Sequence, residues 1–172
     1  MTSYAIVETA LARMHGADSI AQKGAFRGRL KHLQRLGLPL GDKPGKGKRI
    51  DYTIPQIWQL ALALELSEFG LDPNVTSSFI SHVWDINLEE QFNSQVSANF
   101  AQSKVMTISV SLMSASWRPL EETMYGLVSI GWRDKFADLN GLFYANNPRA
   151  MVIDTWKMLR DLREILAELE VE

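Results

Sequence analysis

Twelve consecutive residues, Leu38 to Arg49, contain two prolines and three glycines, a density that neither a helix nor a strand interior tolerates. The chain must therefore pass through an exposed loop here, with regular structure on either side. The loop is also cationic, carrying Lys43, Lys46, Lys48 and Arg49 against Asp42 alone. With the segment before it, Gln22 to Arg49 holds nine basic residues (Lys23, Arg27, Arg29, Lys31, Arg35 and those four) and one acid, a local charge of +8. The whole chain of 172 residues carries −2, so everything outside this segment sums to −10. A molecule polarised in this way offers one surface to a polyanion and repels it elsewhere.

Composition narrows the classes. With 46% hydrophobic and 22% charged residues the chain reads as an ordinary globular protein able to bury a core. It has no cysteine, which removes disulfides, thiolate metal sites and thiol nucleophiles together. The longest nearly uncharged apolar run, Ile57 to Leu64, is too short for a membrane span, and the first residues lack the basic start and apolar block of a signal peptide. A cytoplasmic protein without membrane contact is expected.

Before the loop, Ile6, Val7, Ala10, Leu11 and Met14 predict a first helix over Tyr4 to Met14, and His15-Gly16-Ala17-Asp18 a turn. A second helix, from about Ala25 to Leu36, has Phe26, Leu30 and Leu33 on its core face and Gly37 as its C-cap. Arg27, Lys31 and Gln34 recur at spacings of four and three, flanked by Arg29 and Arg35, and Arg27 and Lys31 are expected to be exposed. After the loop, Ile50-Asp51-Tyr52 reads as a short strand. Thr53-Ile54-Pro55-Gln56 then opens a helix with a capping box and an early proline, and that helix ends at Gly70. Asp72-Pro73 begins another helix carrying Phe79, Ile80, Val83 and Trp84, and the pattern is compatible with its extension through Leu88 and Phe92 toward Phe100.

Beyond Gln102 the period changes. Met106, Ile108, Val110 and Leu112 alternate with small polar residues, predicting a strand near 105–116. A second is expected near 124–132 and a third at Leu142-Phe143-Tyr144. A C-terminal helix is expected over 148–170, with Val152, Trp156, Leu159, Leu162, Ile165, Leu166 and Leu169 along one seam. Trp156, Leu159, Leu162 and Leu166 are the residues expected to dimerise.

The order helix, turn, basic helix, Gly/Lys loop, strand and capped helix is that of a winged helix-turn-helix. Phe26-Arg27-Gly28-Arg29-Leu30-Lys31-His32-Leu33-Gln34-Arg35-Leu36-Gly37-Leu38, then Gly47-Lys48-Arg49-Ile50-Asp51-Tyr52-Thr53, then the helix ending Glu68-Phe69-Gly70-Leu71, resemble the DNA-binding domain of the MerR family over roughly Thr9 to Ile80. The resemblance implies that Arg27, Arg29, Lys31, Lys48 and Arg49 contact DNA, with Tyr52 near its backbone. Two departures stand out: Leu30-Lys31-His32-Leu33 replaces the family's usual Leu-Arg-Tyr-Tyr, and strands follow where a long dimerising helix is usual. Lys23, Gln34, Arg35 and Lys46 join the expected DNA-binding set from their places on the basic helix and wing.

The expected fold is thus α+β, mainly α: a winged helix-turn-helix domain over 1–80, then a dimerisation and effector region over 81–172 with a helical linker, a small antiparallel β segment and the C-terminal helix. The expected function is that of a sequence-specific regulator of transcription, bound as a homodimer to double-stranded DNA, the recognition helix in the major groove and the wing on the backbone. Sensing a small molecule or touching RNA polymerase are further roles open to the second region. The alternative is a protein-interaction module, such as an anti-activator, antitoxin or phage adaptor, whose basic domain meets a protein. No enzyme is expected: Glu89-Glu90 and Glu121-Glu122 are adjacent pairs that diverge on a helix, Ser114 and Ser116 fit no triad, and the Gly/Lys loop does not feed a helix as a phosphate loop would. His15, His32 and His82 lack ligand spacing, so neither a metal nor a cofactor is expected.

Overall fold

The computed structural model describes residues 1–41, 50–96, 104–109, 128–132 and 150–171. The protein is mainly α-helical with small antiparallel sheets, and it divides into two units, Met1–His82 with Leu159–Glu172, and Val83–Met158. The first unit is therefore not contiguous in sequence: the end of the C-terminal helix returns to it, across the break expected at residue 80. Among the described residues no helix is long and apolar enough to cross a membrane.

In the first unit, strand β1 (Thr2–Ser3) pairs antiparallel with β2 (Asp51–Tyr52), Thr2 opposite Tyr52, and the Tyr4 backbone N–H extends the ladder to the Ile50 carbonyl at 3.1 Å. Helix α1 (Tyr4–Met14) buries Val7, Ala10 and Leu11. Helix α2 (Ile20–Arg35) starts one and a half turns earlier than expected, because Ser19 takes the extended N-cap conformation and Ile20 to Lys23 continue the helical run. It ends as predicted. Gly37 sits at φ +105°, a left-handed conformation in which a side chain is strained, and the Leu38 N–H closes on the Leu33 carbonyl at 3.0 Å to satisfy the last turn.

Helix α3 (Ile54–Glu68) begins with the expected capping box, the Thr53 hydroxyl accepting from the Gln56 N–H and the Gln56 side chain accepting from the Thr53 N–H at 3.0 Å. Ile57 to Leu64 and Leu66 are all buried, Gln59 being the one polar residue among them, so α3 is buried on every side and runs through the centre of the unit. The chain leaving α2 is tied to it at Leu40, whose N–H donates to Gln59 and whose carbonyl accepts from Gln56. Helix α4 (Pro73–Val83) adds Phe79 and Ile80 to the core and donates from the Ser77 hydroxyl to the Leu36 carbonyl, 2.9 Å.

The second unit opens on a π-helical turn, Trp84–Leu88, that leads into α5 (Glu89–Val96), so helical structure runs past Phe92, and Trp84 and Phe92 meet edge to face at 5.3 Å. A three-stranded antiparallel sheet follows, β3 (Lys104–Ser109) in the centre between β4 (Val128–Trp132) and β5 (Ala150–Ile153). Met106 lies opposite Ile130 on one side and Ile153 on the other. The strand at 128–132 falls inside its expected span and that at 104–109 begins one residue before its own; the rest of those spans and Leu142 to Tyr144 lie outside the described residues.

One element corrects the sequence reading. The C-terminal helix α6 is Thr155–Val171, and 150–153, expected as its first turn, are strand β5. Met151 and Ile153 are buried and Val152 is exposed, the two-residue period of a strand, and Val152 and Ile153 are β-branched. Asp154 starts the helix instead. Its side chain accepts from the Lys157 N–H at 2.9 Å and its carbonyl from the Met158 N–H at 3.0 Å.

Candidate nucleic-acid interface

Helix α2 contains no acidic residue along its sixteen positions. Lys23, Arg27, Lys31 and Arg35 recur every four residues, a strip that drifts by about 40° per step around a helix of 3.6 residues per turn. Phe26, Leu30 and Leu33 anchor the core side, so the strip winds from beside that side at Lys23 to the side facing away from it at Arg35. Lys23, Lys31 and Arg35 are exposed, and no ion pair joins them to an acid among the described residues. Gly24 and Gly28 lie between these cations, and apart from the helix's own neighbouring backbone no atom of a described residue comes within 4 Å of where their Cβ atoms would be. The outer side of α2 is thus narrow, small and positive.

Arg27 departs from expectation. Its Nε donates to both carboxylate oxygens of Glu8, at 2.9 and 3.0 Å, and its Nη2 lies 2.8 Å from one of them in the same ion pair. Glu8 is only 5% exposed, whereas half of the Arg27 side chain remains accessible. The hydrogen bond and the charge of Glu8 hold the guanidinium still more firmly protonated than usual. Glu8 was invisible to a search for basic residues, although its place gives a signal: Tyr4, Glu8 and Leu11 share one side of α1, so the carboxylate stands in the apolar stripe. The Tyr4 hydroxyl oxygen is buried beside it without a hydrogen bond of ordinary geometry, and burial, then the charge of Glu8, push that phenol up to about 12.

Arg29 is paired as well, its Nη1 donating to Glu68 of α3 at 3.1 Å with both side chains about half exposed. A pair so open to water contributes roughly 0–1 kcal/mol. Nearby, the His15 ring is largely buried with no partner for its Nε2. Burial pulls its pKa below the ordinary value; the charge of Glu68 opposes that and the charge of Arg29 adds to it.

Tyr52 was expected near a DNA backbone but is a core residue, 3% exposed, whose hydroxyl accepts from the Gln34 side-chain amide. Burial raises its pKa, the Gln34 hydrogen bond opposing. The reason is register: Tyr52 pairs with Thr2, and the pleat turns its ring inward against Tyr4, centroids 6.4 Å apart. Gln34 is thereby engaged within the unit. Lys46, Lys48 and Arg49 lie outside the described residues.

Of the residues expected to dimerise, Leu159, Leu162 and Leu166 are buried within the single chain and Trp156 is half-buried. The apolar seam of α6 is already used. Among the described residues no three His, Asp or Glu side chains gather as a metal ion would require.

No family model and no curated protein matches the chain.

Proposed function

We propose that the first unit is a double-stranded DNA-binding module of the winged helix-turn-helix kind, with α2 as the recognition helix, and that the protein regulates transcription. One observation carries this reading: a sixteen-residue helix free of acids, whose exposed surface bears Lys23, Lys31 and Arg35 without acidic partners among the described residues. An α-helix fits the major groove, and lysine and arginine on its outer side reach phosphates and guanine acceptors. The glycines support the same reading. Each costs roughly 0.5–1 kcal/mol against alanine within a helix, and no other described residue packs against them, but both let a groove wall approach the helix axis closely.

The test is binding to duplex DNA followed by fluorescence anisotropy over a salt series. Four contacts, from Lys23, Arg27, Lys31 and Arg35, give a logarithmic slope of about −3 to −4. Replacing Lys23, Lys31 and Arg35 together by glutamine should weaken binding and flatten that slope by about 2 to 3. Absence of DNA binding, with salt-insensitive capture of an acidic protein instead, would move the assignment to a protein-interaction module.

A further inference from the structure

Resting on that reading, we infer that Glu8 is a positioning residue for DNA binding: it fixes Arg27 so that the free edge of the guanidinium grips one backbone phosphate bidentately. Glu8 occupies the inner edge of the group, hydrogen-bonded to Nε and in ion-pair contact with Nη2. The outer edge, Nη1 and the remaining N–H of Nη2, makes no hydrogen bond to a described residue, and half of the side chain is open to solvent. An arginine alone on a helix surface samples many rotamers; one clamped at its inner edge by a buried carboxylate offers the outer fork in a single orientation. Two parallel N–H groups at fixed spacing match two phosphate oxygens, a geometry that a lysine cannot reproduce.

Placement supports this. Arg27 stands four residues from Lys23 and four from Lys31, both exposed and without acidic partners among the described residues, so it belongs to the same cationic strip. Glue between α1 and α2 does not by itself call for an ion pair, since well-packed apolar residues at such a contact are commonly as stabilising or more so. The pair converts a flexible cation into a fixed one. A phosphate, and not a base edge, is the ligand: Arg27, three residues before the buried Leu30, stands at the flank of the helix about 60° from it, away from the outermost line of Gly24, Gly28 and Arg35 that enters a groove deepest.

Electrostatic sign distinguishes positioning from mere charge. Removing an acid beside a DNA-binding surface should by itself strengthen binding. If Glu8 positions Arg27, Glu8→Gln instead weakens binding about 3- to 10-fold, Arg27→Lys does the same, and Arg27→Gln does so with a salt slope flatter by about 1. Adding Glu8→Gln to Arg27→Gln brings no further loss. Glu8→Asp, which keeps the charge but withdraws it by one methylene, also weakens binding, and it serves if Glu8→Gln does not fold. Losses are equal on duplexes of unrelated sequence, as for a phosphate contact. All proteins are compared by anisotropy on random-sequence duplexes, at a temperature where circular dichroism shows each folded. Equal or tighter binding by Glu8→Gln, or by Glu8→Asp in its place, overturns the inference, as does loss confined to one duplex sequence. If the wild-type chain binds and Lys31→Gln weakens it while Arg27→Gln does not, this inference alone fails; a wild-type chain that does not bind DNA ends the module reading as well.

Discussion

The Thr2 hydroxyl donates to the Glu170 carboxylate at 3.2 Å, joining residues 168 positions apart. Arg13 reaches Glu168 of the same helix at 3.8 Å, so α1 and β1 at one end of the chain and α6 at the other close a single unit. Deleting Leu159–Glu172 should therefore unfold or strongly destabilise the N-terminal unit. Leu162→Ala, at a site 1% exposed, should cost about 2–4 kcal/mol in urea denaturation followed by circular dichroism. A variant of unchanged stability that sediments as a smaller species would show instead that this face joins two chains.

The two helical glycines separate stability from binding. With open space around both positions, Gly24→Ala and Gly28→Ala should each raise stability by about 0.5–1 kcal/mol in thermal or urea denaturation. If the outer side of α2 enters a groove, the double variant should nevertheless bind DNA more weakly. Stronger or equal binding would place the contact on another face.

Charge reversal at Arg27 should not leave the fold untouched. Arg27→Glu sets a second carboxylate against Glu8, which is almost fully buried, and the melting temperature should fall by about 5–10 °C. Lys31→Glu, on an exposed position without an acidic partner, should change the melting temperature by no more than about 2 °C.

Stability should decline as the solution is acidified from neutrality, and His15 accounts for part of it. Its pKa is lowered in the folded state, so the unfolded chain takes up the proton first. The contribution of His15 is present above the unfolded value near 6.5 and is lost as pH falls from there through the folded value. Urea midpoints measured from pH 7.5 to 5 should fall less for His15→Gln than for the wild type. Parallel curves would remove His15 as the cause.

Local elements were readable in the chain because their signals are local. The capping box at Thr53 and Gln56, the left-handed turn at Gly37 and the apolar period of α1 are each specified by residues within one or two turns, and all three form as expected. The misread boundary at 148–154 arose where two periods overlap: Met151-Val152-Ile153 suits a helix seam and a strand alike, and pairing with β3 decides for the strand. Tyr52 was misplaced for a related reason. A residue at the base of a wing faces the partner or the core according to strand register, and register is set by Thr2 on the far side of two helices.

By itself the amino-acid order determined a mainly helical protein and a cationic second helix closed at Gly37, because propensity, capping and backbone restriction act between near neighbours. Tertiary structure alone decided which of those cations are available. Arg27 meets Glu8 nineteen residues away and Arg29 meets Glu68 thirty-nine away, whereas Lys23, Lys31 and Arg35 meet no acid among the described residues. The physical reason is that an ionic contact falls off within a few ångströms, and only folding brings residues so distant in sequence to that range.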